Sequence, residues 1–307
     1  MYRDRQMQLW SVEVAVSGPP SPKSVTQSDI SSGLRALGVS AGLGVIVHSS
    51  LSSFGRVERG AAAVIGALMD VLTPEGTLLM PSFNHGLAYA LTGDGCFDPT
   101  QSPTCNGRIP DTFWRMADVH RSWQPTHAFA AWGRHARRYT EHHHRTLTTG
   151  PDSPLGLLHA DDGYGLLIGV DYRANTFHHA VEQSRCAPCL GRRSVALPMR
   201  LPDGRRVMGR TWGWRDAPCP INDSALYAPE MAARGLERTI TIGQSTLRLF
   251  RLRDCYEVIA ELLRHGYAGH PPCKQCSIRP VDDANAAPSD WDPSTGGLLP
   301  DSESLRF

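Results

Sequence analysis

The 307-residue chain has almost no surplus charge: 31 Lys and Arg stand against 30 Asp and Glu, a formal net charge of +1. That balance argues against a strongly basic nucleic-acid binder and against an acidic solvating tail, so no nucleic-acid partner is expected. No apolar run approaches the roughly 18 residues of a membrane span, so no membrane partner is expected either. The apolar patch Val12 to Val16 is interrupted by Glu13, and Met1 to Pro22 lacks the apolar core of a secretory signal. The expectation is a soluble, cytoplasmic protein. There thiols stay reduced, and the eight cysteines read as buried thiols, metal ligands or reactive groups before disulfides. Also missing are a dinucleotide-binding fingerprint, a P-loop, His-Glu-x-x-His, Gly-x-Ser-x-Gly and any repeat of solenoid period. What is present is a 41% hydrophobic composition, enough for a core that buries roughly 75% of the unfolded surface.

Along the chain, 1–27 reads as a flexible Pro- and Ser-rich extension, 28–280 as one domain and 281–307 as a disordered Asp/Pro/Ser/Gly-rich tail. Helical spacing of Ile30, Leu34 and Leu37 predicts a helix capped by Ser28 and closed by Gly38. Gly44 to His48 is a short apolar run, a buried strand, followed by the hydroxyl-rich loop Ser49 to Gly55. A helix with Ala61, Val64, Ile65, Leu68, Met69 and Leu72 on one face comes next, then a Pro74-Glu75-Gly76 turn and a strand from Thr77 to Met80. Strand, helix, strand is a βαβ unit, which predicts an α/β fold with a parallel or mixed sheet and covering helices. Residues 84–110 read as a long loop, Asp111 to Arg115 as the start of a helix and Ala128 to Ala131 as a short strand. Further elements are a buried strand Leu166 to Val170, a helix from Asn175 to Ser184, a hairpin from Val195 to Val207, and a strand then helix between Ser245 and Leu263.

Three features carry chemistry. In Asn175-Thr176-Phe177-His178-His179-Ala180-Val181-Glu182, Thr176, His179 and Glu182 fall at i, i+3 and i+6 of a helix that follows a strand end. A His one turn from a carboxylate is the arrangement of an oriented general base; a buried structural His–Glu bond fits the same spacing. The loop Ser49 to Gly55 offers hydroxyls and backbone N–H groups to phosphates or a polar amide chain, or is an ordinary βα turn. The pairs Cys186-x-x-Cys189 and Cys273-x-x-Cys276, with Cys219 apart, can supply four thiolates to a structural zinc, or are free thiols or a redox pair. Cys96, Cys105 and Cys255 show no pairing logic. His142 to His144 read as an exposed loop, and Arg137-Arg138 as a solvated face. Asp216 and Asp223, in a Trp- and Pro-rich loop, suit a cationic ligand or turn capping.

The ordered set of motifs resembles the aminoglycoside 3-N-acetyltransferase family. The resemblance rests on Val47 to Gly55, Pro74 to Phe83, Asp111 to Arg115, Arg121-Ser122, Ser153-Pro154-Leu155 and Asn175-Thr176-x-x-His179-x-x-Glu182, and runs from about 28 to 276. It implies a single large α/β domain with a central mixed sheet flanked by helices, distinct from the GNAT acetyltransferases. It also implies acetyl transfer from acetyl-CoA to the 3-amino group of a 2-deoxystreptamine aminoglycoside, by a monomer or homodimer. Carried over by position, His179 is the catalytic base, Glu182 orients it, and Thr176 lies beside the thioester. His48, Ser49, Ser50, Leu51, Ser52, Ser53 and Phe54, with Arg121 and Ser122, would line the cofactor site. Asp216, Asp223 and Gln124 would meet the acceptor. Likeness to the apramycin- and gentamicin-type members points to Cys189, Cys219, Cys273 and Cys276 as the zinc set, with Cys186 as the substitute. Many members carry a His where this chain has Gln124, three residues before His127. Competing expectations are acyl transfer to another amine or amino-sugar, a cysteine acyl intermediate, and a non-catalytic zinc-stapled protein that binds CoA or a cation.

Overall fold

The structure, a computed structural model, describes residues 24–84, 95–190, 195–201, 203–211 and 215–279. Most of the expected N-terminal extension and all of the expected tail from 281 lie outside them. The first helix, α1 (Gln27–Leu37), is capped by Thr26 rather than Ser28: the Thr26 hydroxyl accepts from the Asp29 N–H, and the Asp29 carboxylate accepts from the Thr26 N–H. That reciprocal pair satisfies two N–H groups, which a Ser28 cap would leave without partners. Gly38 closes the helix at φ 108°.

Next come β1 (Gly44–Ser49), α2 (Ala61–Leu72) and β2 (Thr77–Pro81), the expected βαβ unit. α3 (Arg108–Phe113) begins before Asp111 and ends where a helix was expected to be under way. Then follow β3 (His120–Arg121), β4 (Phe129–Gly133), α4 (Ala136–Thr140) and α5 (Pro154–Ala160), the last with its Ser153 hydroxyl accepting from the Gly156 N–H. β5 (Tyr164–Ile168) starts two residues earlier than its apolar run. α6 (Phe177–Ser184) starts after Thr176, although the Asn175 side chain still accepts from the Phe177 N–H. The hairpin of β6 (Val195–Arg200) and β7 (Arg206–Thr211) is as expected. α7 (Ala228–Ala233), β8 (Glu237–Ile242), β9 (Ser245–Arg251) and α8 (Leu252–His265) complete the chain.

Seven strands form one mixed sheet in the order β3-β4-β2-β1-β5-β9-β8. Its centre is parallel, with β1 between β2 and β5; the flanking pairs are antiparallel. Alternation along the strands divides the apolar side chains between two layers. Ile46, Leu79 and Leu167 face α5, α6 and α8, while Val45, Val47, Leu78 and Leu166 face α1 and α2. No helix among the described residues is long and apolar enough to cross a membrane.

The parallel centre leaves the C-terminal ends of β1 and β5 side by side, where open α/β sheets place ligands. The loop after β1 is fixed to the end of β5. The Ser53 hydroxyl donates to the Ser50 carbonyl at 2.7 Å and meets the Ser245 hydroxyl at 2.8 Å. Gly169, at φ +62°, sits against Ser53 so closely that a Cβ would overlap the serine side chain.

Candidate active site

α6 follows β5 by a short 3-10 turn over Tyr172–Ala174, which carries the first turn of α6 over the sheet's edge. On that turn the His179 Nδ1–H donates to Glu182 Oε2 at 2.9 Å. Glu182 is fully buried, while the His179 side chain keeps about 35% of its exposure. Burial alone would raise the Glu182 pKa. The hydrogen bond from His179, the charge of His179 and the Arg215 guanidinium outweigh it and hold the carboxyl below its ordinary range.

Arg215 is the residue that sequence reasoning missed. Its Nη1 lies 3.1 Å from Glu182 Oε1, and its Nη2 is bound to Asp223 Oδ2. Burial by itself would weaken the charge on this guanidinium; the two carboxylates outweigh it and push the pKa up. The same Asp223 oxygen accepts from the Cys219 N–H, which leaves Oδ1 turned toward two imidazoles, those of His178 and His179. Nothing in the local sequence marks Arg215, because its partners lie 33 residues before it and 8 after it.

Two clefts meet at His179. One, about 500 Å³, is walled by Thr148, Glu182, Arg215, Asp216 and Asp223. The other, about 320 Å³, is walled by His48, Ser49, Phe83, Asn106, Thr176 and His178. His127 and His179 line both. The second cleft continues past Ser49 into a groove of about 580 Å³ formed by Ser50, Leu51, Ser52, Gly107 and Arg108. Past Arg173 it opens on a wider space that Ser53 and Arg248 also line. Burial pushes His48 down to about 4, so this side of the site is neutral at its centre.

The remaining expected site residues separate into those the clefts expose and those the fold uses elsewhere. Phe54 is sealed in the core under α2. Arg121 lies between the Phe97 and Trp114 rings and donates to the carbonyls of Ser82, Pro99 and Ser102, so it ties the 99–103 loop to the sheet and lines neither cleft. Burial pushes its guanidinium down to about 9. Ser122 is buried against His143 and the Phe129 N–H. Gln124 is buried too: its Oε1 accepts from the Thr126 and His127 N–H groups. Gln124 thus shapes the turn that delivers His127, and it is His127 that reaches the site.

Of the cysteines, Cys219 and Cys273 pack in the same apolar cluster, and Cys189 is buried while Cys276 is half-buried. Burial raises Cys219 to about 12. Cys186 is exposed. The three donors that close to within 4.8 Å of one another among the described residues are not thiols but His178, His179 and Asp223.

A mixed α/β sheet that opens two clefts onto one carboxylate-held imidazole suits a group-transferring enzyme. Comparison with known proteins gives the same class and narrows it. The family model for aminoglycoside 3-N-acetyltransferase matches residues 46–264, and the chain belongs to that family of acetyltransferases. It is 34% identical over 256 residues to aminoglycoside N(3)-acetyltransferase VII of Streptomyces paromomycinus, covering 75% of this chain and 88% of the relative. It is 35% identical over 241 residues to aminoglycoside N(3)-acetyltransferase IV of Salmonella sp, covering 78% and 85%. A shorter match, 36% over 175 residues, joins it to the prophage-derived aminoglycoside N(3')-acetyltransferase-like protein YokD of Bacillus subtilis, covering 51% of this chain and 64% of YokD. Among solved structures, YokD superposes with a TM-score of 0.69 at 28% identity over 80% of this chain and 95% of that one. A mutant of aminoglycoside acetyltransferase AAC(3)-IVa in complex with a gentamicin gives a TM-score of 0.69 at 29% identity over 83% and 98%.

Proposed function

We propose that the enzyme transfers an acetyl group from acetyl-CoA to the 3-amino group of a 2-deoxystreptamine aminoglycoside, within a ternary complex. The observation that carries this reading is His179 itself: oriented by a buried carboxylate at 2.9 Å, it stands where an acidic cleft meets a neutral, hydroxyl-lined one. The acceptor ammonium loses one proton to solvent, and His179 Nε2 takes a second from the neutral amine as it attacks. The nitrogen adds to the thioester carbonyl, the C–S bond breaks, and CoA departs as the thiol with the proton that His179 returns. Glu182 holds the imidazole with Nε2 outward and stabilises the imidazolium. Thr176, on the wall of the neutral cleft, is placed to donate to the carbonyl oxygen as it gains charge.

In this reading acetyl-CoA lies along His48, Ser49 and the groove of Ser50 to Ser52, with Arg108 at its far wall as a phosphate partner. The aminoglycoside occupies the other cleft, its ammonium groups facing Asp216 and Asp223 Oδ1. The acetyltransferase names of the relatives and the gentamicin complex of one of them support the acceptor class.

A structural zinc belongs to the same proposal, held by Cys189, Cys219, Cys273 and Cys276. Its fit rests on the chemistry of four free thiols, of which Cys219 and Cys273 share one apolar cluster. Such an ion would supply no chemistry to the transfer. It would staple the segment after α6 and the segment after α8 to the loop that bears Arg215, Asp216 and Asp223.

The experiment is product analysis over a panel of aminoglycosides, amino-sugars and simple amines with acetyl-CoA. The expected result is CoA release only with 2-deoxystreptamine compounds and a product acetylated at the 3-amino group. Release with simple amines or amino-sugars alone would reject the acceptor and move the enzyme to another acyl transfer.

A further inference from the structure

We propose that His178, His179 and Asp223 form a regulatory site for a divalent transition-metal ion of the zinc or cobalt kind, and that the ion and acetyl transfer exclude one another. The inhibitory half rests on the reading of His179 as the base; the binding half does not.

The geometry is that of a three-ligand metal site. His178 Nε2 lies 3.2 Å from His179 Nε2, and Asp223 Oδ1 lies 3.7 and 3.9 Å from them. The point equidistant from the corners of a triangle with these sides is about 2.1 Å from each, the bond length of zinc to imidazole nitrogen or carboxylate oxygen (about 2.0–2.2 Å). Two imidazoles and one carboxylate select zinc, cobalt or nickel over calcium or magnesium.

The outer contacts suit the ion as well. His179 holds its Nδ1 proton against Glu182, which leaves Nε2 as a lone pair. His178 has Tyr227 Oη 3.4 Å from its Nδ1, and that hydroxyl donates onward to the Tyr172 carbonyl at 3.1 Å. With the His178 proton on Nδ1, its Nε2 also becomes a free lone pair. Such carboxylate and hydroxyl partners behind ligating histidines fix tautomer and ring angle. Asp223 Oδ2 is held by Arg215 and the Cys219 N–H, which aims Oδ1 at the imidazoles. Glu182, Asp223 and Arg215 together carry one net negative charge, which favours a dication over an empty cluster. His178 is buried while His179 and Asp223 stay partly exposed, so the fourth coordination position faces the acceptor cleft.

Occupation would commit the His179 Nε2 lone pair and Asp223 Oδ1 to the metal. The base could then accept no proton, and the acceptor would lose a carboxylate. The consequence is a reversible, metal-dependent arrest of the enzyme.

The test is cobalt titration of enzyme whose measured content is one zinc per chain, the share of the proposed thiolate site, with acetylated product counted by mass spectrometry because CoA thiol itself binds metals. The expected result is a visible d–d band without a thiolate-to-cobalt charge-transfer band. Alongside it the rate should fall at least ~10-fold and recover on chelation. His178→Leu should lose the band and raise the cobalt concentration for half-inhibition at least ~10-fold, relative to its own metal-free rate. Asp223→Asn, checked for folding by circular dichroism, should weaken the same band. Half-inhibition at an unchanged concentration in both variants, or a band of thiolate character only, overturns the proposal. A cobalt band that disappears in His178→Leu without any effect of cobalt on wild-type turnover upholds the site and instead rejects His179 as the base.

Discussion

The two clefts that share His179 are built on opposite electrostatic plans. The acceptor side is a lattice of formal charges, with Glu182 and Asp223 joined by Arg215 and with Asp216 at the rim. The other side contains hydroxyls, an imidazole kept neutral by burial and Arg173, whose charge is paired with Asp171. The difference teaches that a net charge of +1 describes neither half. On the proposed reading a polycation and a thioester need different surroundings, and the two clefts would supply them on either side of one ring.

Three substitutions separate these plans. Removing the shared ring by His179→Ala should have the largest effect: kcat falls about 10²–10⁴-fold, while acetyl-CoA affinity measured by calorimetry hardly changes. Near-normal turnover would sink the assignment. On the charged side, Arg215→Leu removes the cation between two carboxylates, one of them fully buried. Loss of one partner from a buried ion pair costs about 3–5 kcal/mol, so thermal and denaturant unfolding should shift by that amount. A small shift would show that Glu182 is held without Arg215. On the neutral side the effect is smaller and depends on pH. The unfolded His48 imidazole protonates near 6.5, while the folded one resists down to about 4. Between those values the unfolded state binds more protons, so stability is complete above about 6.5 and declines as pH falls toward 4, by about 3 kcal/mol. His48→Gln should flatten that part of the stability profile. It will not remove it, because buried His143, pushed down to about 3, contributes in the same direction.

What the sequence revealed and what it hid follow from range. The His179–Glu182 contact is one turn of one helix, and the spacing disclosed it. The loop of Ser49 to Gly55 and the βαβ unit around it were legible because apolar runs and turn residues mark them locally. Helix starts were less so: Thr26 and Ser28 are equally good caps by type, and only the reciprocal bond with Asp29 decides between them. Arg215 was invisible, since a guanidinium in a Trp- and Pro-rich loop announces no partner 33 residues away. Arg121 and Gln124 misled for the converse reason. Their polar types suggest ligand contact, yet both are buried and occupied by backbone groups. The edge strand β8, with Arg238, Thr239 and Thr241 at its exposed positions, lacks the apolar run that marked the inner strands.

One feature of the scaffold bears on how freely such an enzyme can vary. Gly169 has no side chain to spare, because its backbone lies against Ser53. The loop after β1 and the end of β5 are thereby sterically coupled. Lengthening or reshaping the loop cannot be absorbed by the neighbouring strand, and any residue other than glycine at 169 requires the loop to yield first. The wall of the charged cleft at Asp216 stands on a separate segment that is not bound by that constraint.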